Sequence, residues 1–388
     1  MKTRRQTRNL RPTQIADMVA RRISSPVQRL EFLQLVVPAM DRERALSGRS
    51  LALIPLTSVL LLISAGSGPG VRAVHQVQDS QGVVNAGPAT VRVQSTAEIW
   101  QVEKNSASET WSNGLRIDNR FAVGTRPRSY RVFSTTEPDD IQGRRRSQPA
   151  GIVFHTTESL QVPFEASQNA ELKDISLSLL AYVRRKQAYN FLIDRFGRVY
   201  RIVRESDAAN HAGYSVWADS DWVYLNLNQS FLAVSFETRT LPGQREATVN
   251  PAQIRSAAML TEMLRQLYRI APGNCVTHAQ VSVNASNLLV GYHFDWASSF
   301  PFAELNLPDN YALPLPSVFD AGFGFDSKFG RSAGARVYRE AALAEDILRQ
   351  RAAAMRLSLA AYRRMLQARY RSRLRAVHAL AGRAEDDE

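Results

Sequence analysis

The stretch 277–302, THAQVSVNASNLLVGYHFDWASSFPF, sets the strongest limit on how this chain folds. It carries His278, His293 and Asp295 close together, between an apolar segment and an aromatic cluster. A further histidine, His155, ends the apolar run Gly-Ile-Val-Phe-His, which reads as a short strand with a candidate ligand at its tip. Two histidines and a carboxylate that converge from distant parts of a chain are the donor set of an open zinc site. Three protein ligands hold such an ion and a fourth position is left for water. The fold must therefore bring position 155 up against positions 278–295.

The sequence around these residues predicts the means. Residues 152–155 read as a strand, and 174–186 have helical spacing and end in Arg184, Arg185 and Lys186, as suits a helix C-terminus. Residues 189–194 and 198–203 are two apolar strands around a turn at Arg195-Phe196-Gly197. FLAVSFET at 231–238 is another strand. Asn250-Pro251 is a cap with proline at the first helical position, opening a helix with Ile254, Ala257, Leu260, Leu264 and Leu267 on one face. That helix stops at Pro272-Gly273, and a short strand, 275–277, delivers His278. The pattern is α/β: a mixed central sheet flanked by helices. The only cysteine, Cys275, excludes an internal disulfide and reads as a buried apolar side chain.

The charge of +13 and pI near 10.2 favour an anionic partner. Residues 1–49 carry eleven Lys or Arg against four acids, and 50–71 carry no charge at all. The uncharged run reads as a transmembrane or signal-anchor segment, with the basic region kept in the cytoplasm and the rest of the chain outside it. A cleaved signal peptide, which would leave the chain secreted, is the other reading. Either places the domain in the periplasm or cell wall, and either speaks against nucleic acid as the anionic partner.

Taken in order, IVFHTT, YNFLIDRFGRVYRI, His-Ala-Gly at 211–213, a strand ending SFET, Thr-His, and an Asp before FPF resemble the zinc-dependent N-acetylmuramoyl-L-alanine amidases. Their superfamily includes the phage lysozyme-type amidases and the peptidoglycan recognition proteins. The resemblance covers roughly 148–305 and implies the amidase fold with one Zn2+ in a groove. It implies His155, His278 and Asp295 as the metal ligands, with a swap of His293 for Asp295 left open. It makes His293 the group that polarises the scissile carbonyl, and Tyr189 and Glu237 the candidates for moving the proton. Some relatives place their catalytic glutamate two residues before Glu237, where this chain has Ser235. The gap from His278 to Asp295 is longer than the family's, and Asp-Trp-Ala stands where Asp-Pro-Gly is usual. The implied function is hydrolysis of the amide between N-acetylmuramic acid and L-alanine in peptidoglycan or muropeptides. A non-catalytic peptidoglycan-binding protein of the same fold is the alternative.

Trp217, Trp222, Tyr224 and Trp296 are candidates for stacking on sugar, or for rim packing. His211 reads as lining the groove or holding a loop, and His378 has no evident partner. Residues 335–380 contain neither Gly nor Pro, and Leu348, Ala352, Met355, Leu359, Tyr362, Leu366 and Tyr370 recur every three or four positions. The organisation expected is a basic region 1–49, a membrane segment 50–71, a linker and lead-in 72–147, and an amidase-like domain 148–316. A Gly-rich linker 317–334 and one Arg-rich amphipathic helix 335–381 follow. That helix docks on the domain, self-associates with a second copy, or lies on an anionic surface.

Overall fold

The structure, a computed structural model, describes residues 98–240, 248–325, 329 and 334–386. The basic region 1–49 and the uncharged run 50–71 lie outside the described residues. Among the described residues no helix is long and apolar enough to cross a membrane.

Twelve strands build the two principal sheets. They are β1 (Gln101–Lys104), β2 (Ser108–Trp111), β3 (Arg116–Asp118), β4 (Tyr130–Ser134), β5 (Arg144–Arg146) and β6 (Gly151–Thr156). After them come β7 (Phe191–Ile193), β8 (Val199–Arg201), β9 (Trp217–Ala218), β10 (Trp222–Tyr224), β11 (Phe231–Phe236) and β12 (Cys275–Thr277). The main sheet runs β1-β2-β3-β8-β7-β11-β6-β12, and β5-β4-β10-β9 form a smaller one. At its centre β11, β6, β12 and β7 are parallel, and β7 turns back antiparallel on β8 through Gly197 at φ 76°. The mixed sheet expected from the sequence is present.

Strand side chains alternate, so the sheet has two chemically distinct faces. On one, Ile152, Phe154, Leu232, Val234 and Phe236 enter the main core with Leu260 and Leu264 of α2 (Pro251–Tyr268). On the other, Val153 and Val276 pack with the small sheet, while Leu192 packs with Leu180 and Val183 of α1 (Asn169–Lys186). His155, in register with Ser235, lies on this second face. Helix α2 begins with the expected cap: Asn250 and Gln253 form a reciprocal capping box with Pro251 beside it. Its buried face is turned from the sequence reading, with Gln253 buried and Leu267 exposed. Gln253 donates to the carbonyls of Ile193 and Glu237, which rewards burying a polar residue there.

The domain boundary expected at 148 is not a structural boundary. Strands β1–β3 extend the main sheet, and Val91–Glu388 form one compact unit. A buried ion-pair network stitches the lead-in to the domain: Arg201 Nη1 lies 2.9 Å from Glu109 and its Nη2 2.8 Å from Glu205. Replacing Arg201 by methionine would take from the buried Glu109 and Glu205 the cation they share, leaving Glu109 with Lys104 at 3.3 Å. We expect R201M to lose about 3–5 kcal/mol, read as a lower denaturant midpoint. An unchanged midpoint would mean the lead-in strands contribute nothing to the fold.

The single C-terminal helix expected from 335 to 381 is two helices, α4 (Ala335–Ala354) and α5 (Leu359–Asp386). The chain reverses at Arg356, whose φ is +54°, and the Leu357 amide donates to the Ala352 carbonyl. Ser358 caps the next helix by accepting from the Ala361 amide. The reversal folds the apolar stripe onto itself and the domain. Leu348, Ala352, Tyr362 and Leu366 pack together, while Val337, Ala341, Tyr370 and Val377 join the main core. Most of the stripe is thus covered within the chain, while Met355 at the reversal stays exposed.

Candidate metal centre

Each of the three donors arrives by a different route. His155 is the fifth residue of β6, a strand buried along its whole length. His278 opens the single-turn helix α3 (His278–Val281), directly after β12, where Thr277 and Gln280 form a capping box. Asp295 is brought alongside by its own backbone, whose carbonyl accepts from the Ala279 amide at 3.2 Å. A small hairpin, Val283–Asn284 paired with Leu289–Val290, fills the long gap between the last two.

Among the described residues these three form a group whose donor atoms all lie within 4.8 Å of one another. The Asp295 carboxylate bridges the two imidazoles, with Oδ1 at 2.8 Å from His278 Nδ1 and Oδ2 at 3.2 Å from His155 Nδ1. Ligands 2.0–2.1 Å from a tetrahedral zinc stand roughly 3.3 Å apart, comparable to the 2.8 and 3.2 Å contacts of Asp295, so the donor types and spacing suit that ion. Burial alone would raise the Asp295 carboxyl. Attraction to His278, together with the contacts to both histidines, outweighs burial and holds it well below the usual carboxylate range.

Burial, with repulsion from His278, lowers His155 to about 4. Burial and the same neighbour lower His293 to about 4. Neutral imidazole and ionised carboxylate are the forms that bind a cation. These histidines resist protonation when folded but not when unfolded, so their stability contribution is complete above 6.5 and lost as pH falls towards 4. Each costs about 1.4 kcal/mol per pH unit across that window. The metal-free chain should show a denaturant midpoint that falls steeply from pH 6.5 to 4; a flat curve would show the pair titrating as in solvent.

Residues 145–287 match the N-acetylmuramoyl-L-alanine amidase family. The match takes in His155 and His278 and stops before Asp295, so Asp295 joins the candidate site on geometry alone. Solved structures with detectable similarity include AmpDh3 from Pseudomonas aeruginosa in complex with anhydromuramic pentapeptide. That chain is 22% identical, over 41% of this chain and 58% of that one, with TM-score 0.30. AmiD from E. coli, in complex with anhydro-N-acetylmuramic acid-L-Ala-D-gamma-Glu-L-Lys, is 24% identical over 42% and 60%, with TM-score 0.30. Drosophila peptidoglycan recognition protein SD is 16% identical over 42% and 87%, with TM-score 0.25. The chain therefore spans less than two thirds of the length of the first two. No curated protein matches it.

Around this candidate centre, Tyr189 stands with its ring centroid 5.2 Å from that of His155. Burial, reinforced by the Asp295 charge, raises its phenol, which stays protonated at neutral pH and serves as a donor. His293 stacks on His278 at 4.5 Å and 22°. Glu237 is not part of this group. Its carboxylate accepts from Ser176 Oγ of α1 at 2.6 Å and from the Arg195 amide at 3.3 Å, and the position beside His155 belongs to Ser235. The alternation that equates positions 235 and 237 fails because the strand ends at Phe236.

The carboxyl that the sequence reading missed is Glu158. It accepts from the Thr156 hydroxyl and, at 2.9 Å, from the Thr240 amide. Thr240 in turn accepts from the amide of Trp296, the residue after Asp295. Burial raises the Glu158 carboxyl, and the charge of Asp295 adds to the rise. Glu158, Tyr189 and Trp296 all hold positive φ, at 50°, 62° and 60°. Left-handed backbone at large side chains costs energy and gathers at functional sites.

A groove of about 350 Å³ opens beside the centre, lined by His211, Tyr214, His278, Tyr292 and His293 among others. Its aromatic walls are Tyr214 and Tyr292, both exposed. Of the aromatics expected to stack on sugar, Trp217 and Tyr224 are buried on strands β9 and β10 of the small sheet and Trp296 in the main core. Trp222 lies beneath Arg146, whose guanidinium is 4.4 Å from the ring. His378 of α5 does have a partner, packing edge-on against Tyr214 at 4.5 Å. Cys275 is buried as expected, its thiol pushed up to about 12 by burial.

Proposed function

We propose that this protein is a zinc-dependent N-acetylmuramoyl-L-alanine amidase, hydrolysing the amide between N-acetylmuramic acid and L-alanine in peptidoglycan or its fragments. The observation that carries this reading is the convergence of His155, His278 and Asp295, two of them inside the family-matched segment. Those three residues would hold the zinc, which when bound supplies Lewis-acid polarisation of a carbonyl and an acidified water. The remaining work falls to side chains of this chain. His293, kept neutral by burial, donates a hydrogen bond to the developing oxyanion. Tyr189 donates through its protonated phenol. Glu158, with its raised pKa and its tie to the Asp295 loop, takes a proton from water and returns it to the leaving amine. Tyr214 and Tyr292 flank the stem peptide or sugar in the groove.

The uncharged run at 50–71, preceded by the basic residues 1–49, supports an anchored protein with this domain outside the cytoplasm. The test uses the full chain, because the lead-in strands and C-terminal helices are part of the folded unit. Purified protein should hold about one zinc and release stem peptide from peptidoglycan. Absence of zinc would remove both the ligand set and the chemistry. A second reading has its own support: Ser235 stands beside His155 where some relatives carry a glutamate, which favours a peptidoglycan-binding protein without turnover. Zinc uptake with no peptide release would select it.

A further inference from the structure

His211 stands directly behind His155, on the side away from Asp295. Its Nδ1 is 3.1 Å from His155 Nε2, and its own Nε2 is 2.9 Å from the carbonyl oxygen of Leu227. A carbonyl only accepts, so His211 Nε2 carries a hydrogen. A neutral imidazole protonated at Nε2 has its lone pair at Nδ1. His155 Nε2 must then be the donor in the 3.1 Å contact. That leaves the lone pair of His155 on Nδ1, the atom facing Asp295 Oδ2 at 3.2 Å. Two acceptors at that distance repel unless a positive charge lies between them.

The sequence builds this arrangement locally. Asn228 Oδ1 accepts from the successive amides of His211, Ala212 and Gly213, at 2.9, 2.8 and 2.7 Å. Gly213 takes φ +57° to close that turn. Leu227 and Asn228 are adjacent, so one helical turn, Leu227–Ser230, fixes both the backbone of the His-Ala-Gly segment and the ring of His211. His278 has no equivalent: its Nε2 is buried without a hydrogen-bond partner among the described residues.

We propose that His211 is a positioning residue that locks His155 in the Nε2-protonated tautomer, through the relay Leu227 carbonyl–His211–His155, and so aims the Nδ1 lone pair at the cation site. This rests on the reading of His155 as a metal ligand. A hydrogen-bond partner behind a ligating imidazole fixes its tautomer and ring plane, and its loss typically costs about 10–100-fold in metal affinity.

The test compares the full-length wild type with H211F, which has no acceptor, and H211N, whose Oδ1 stands where Nδ1 was. Zinc affinity is measured by competition with a chelator, and the fold of each variant is checked by circular dichroism. H211F should bind zinc about 10–100-fold more weakly, while H211N should recover most of that loss. Equal affinity in H211F and the wild type would overturn the proposal. So would a loss in H211N as large as in H211F, which would mark His211 as merely structural. Long-range proton–nitrogen NMR on histidine-labelled protein reads the tautomer itself, with or without metal. A proton on His155 Nε2 supports the lock, and a proton on Nδ1 with Nε2 bare overturns it. Should the wild type take up no zinc, the ligand reading fails by itself and the NMR result still decides on His211.

Discussion

Asp295→Ala should yield a folded chain that holds no zinc and releases stem peptide more slowly by on the order of 10³-fold or more, since several kcal/mol of transition-state stabilisation leave with a metal. The reason is in the geometry. Among the described residues Asp295 meets both His278 and His155, its two oxygens at 2.8 and 3.2 Å from their Nδ1 atoms. Without it two imidazoles remain, too few to hold the ion against water. His155→Ala and His278→Ala should act the same way. His293→Ala separates the two readings of the third ligand. His293 stacks on His278 and lies beside the donor group. Its loss should leave zinc content near one per chain and lower turnover by about 10²–10³-fold, as for an oxyanion donor. Loss of zinc in His293→Ala with zinc retained in Asp295→Ala would reverse the assignment.

Glu158→Gln should lower kcat by about 10²–10⁴-fold, the usual range for removing a general acid–base group, and leave zinc content unchanged. Glu237→Gln should change kcat less than about threefold, because amide oxygen can accept from Ser176 and the Arg195 amide as the carboxylate does. The two carboxyls share a raised pKa caused first by burial, so titration alone does not tell them apart. Position does. Glu158 is linked through Thr240 to the amide next to Asp295, whereas Glu237 is fixed between α1 and the β7–β8 turn. The acid limb of the kcat/KM profile should vanish in Glu158→Gln and persist in Glu237→Gln. The opposite pair of results would return the proton relay to Glu237, and full activity in both would assign it elsewhere.

Much of the centre was legible in the order of residues. Apolar strands that end on His155 and His278, the Asn250-Pro251 helix start and the single buried cysteine each follow from local chemistry, because period, capping and burial act over a few positions. The sequence alone therefore determined the α/β character and the two histidine positions, and left the choice between Asp295 and His293 open. Only the tertiary structure decided which second carboxyl stands near them, since β11 stops at Phe236 and no local signal marks where a strand ends relative to its neighbours. It also decided that 101–118 extend the sheet and that the C-terminal helix turns back at Arg356. Those outcomes depend on partners far away in sequence, such as Arg201 for Glu109 and the main core for Tyr370. His211 belongs with them. Its role comes from standing 3.1 Å behind a histidine 56 positions away, a distance set by packing that the His-Ala-Gly motif alone does not give.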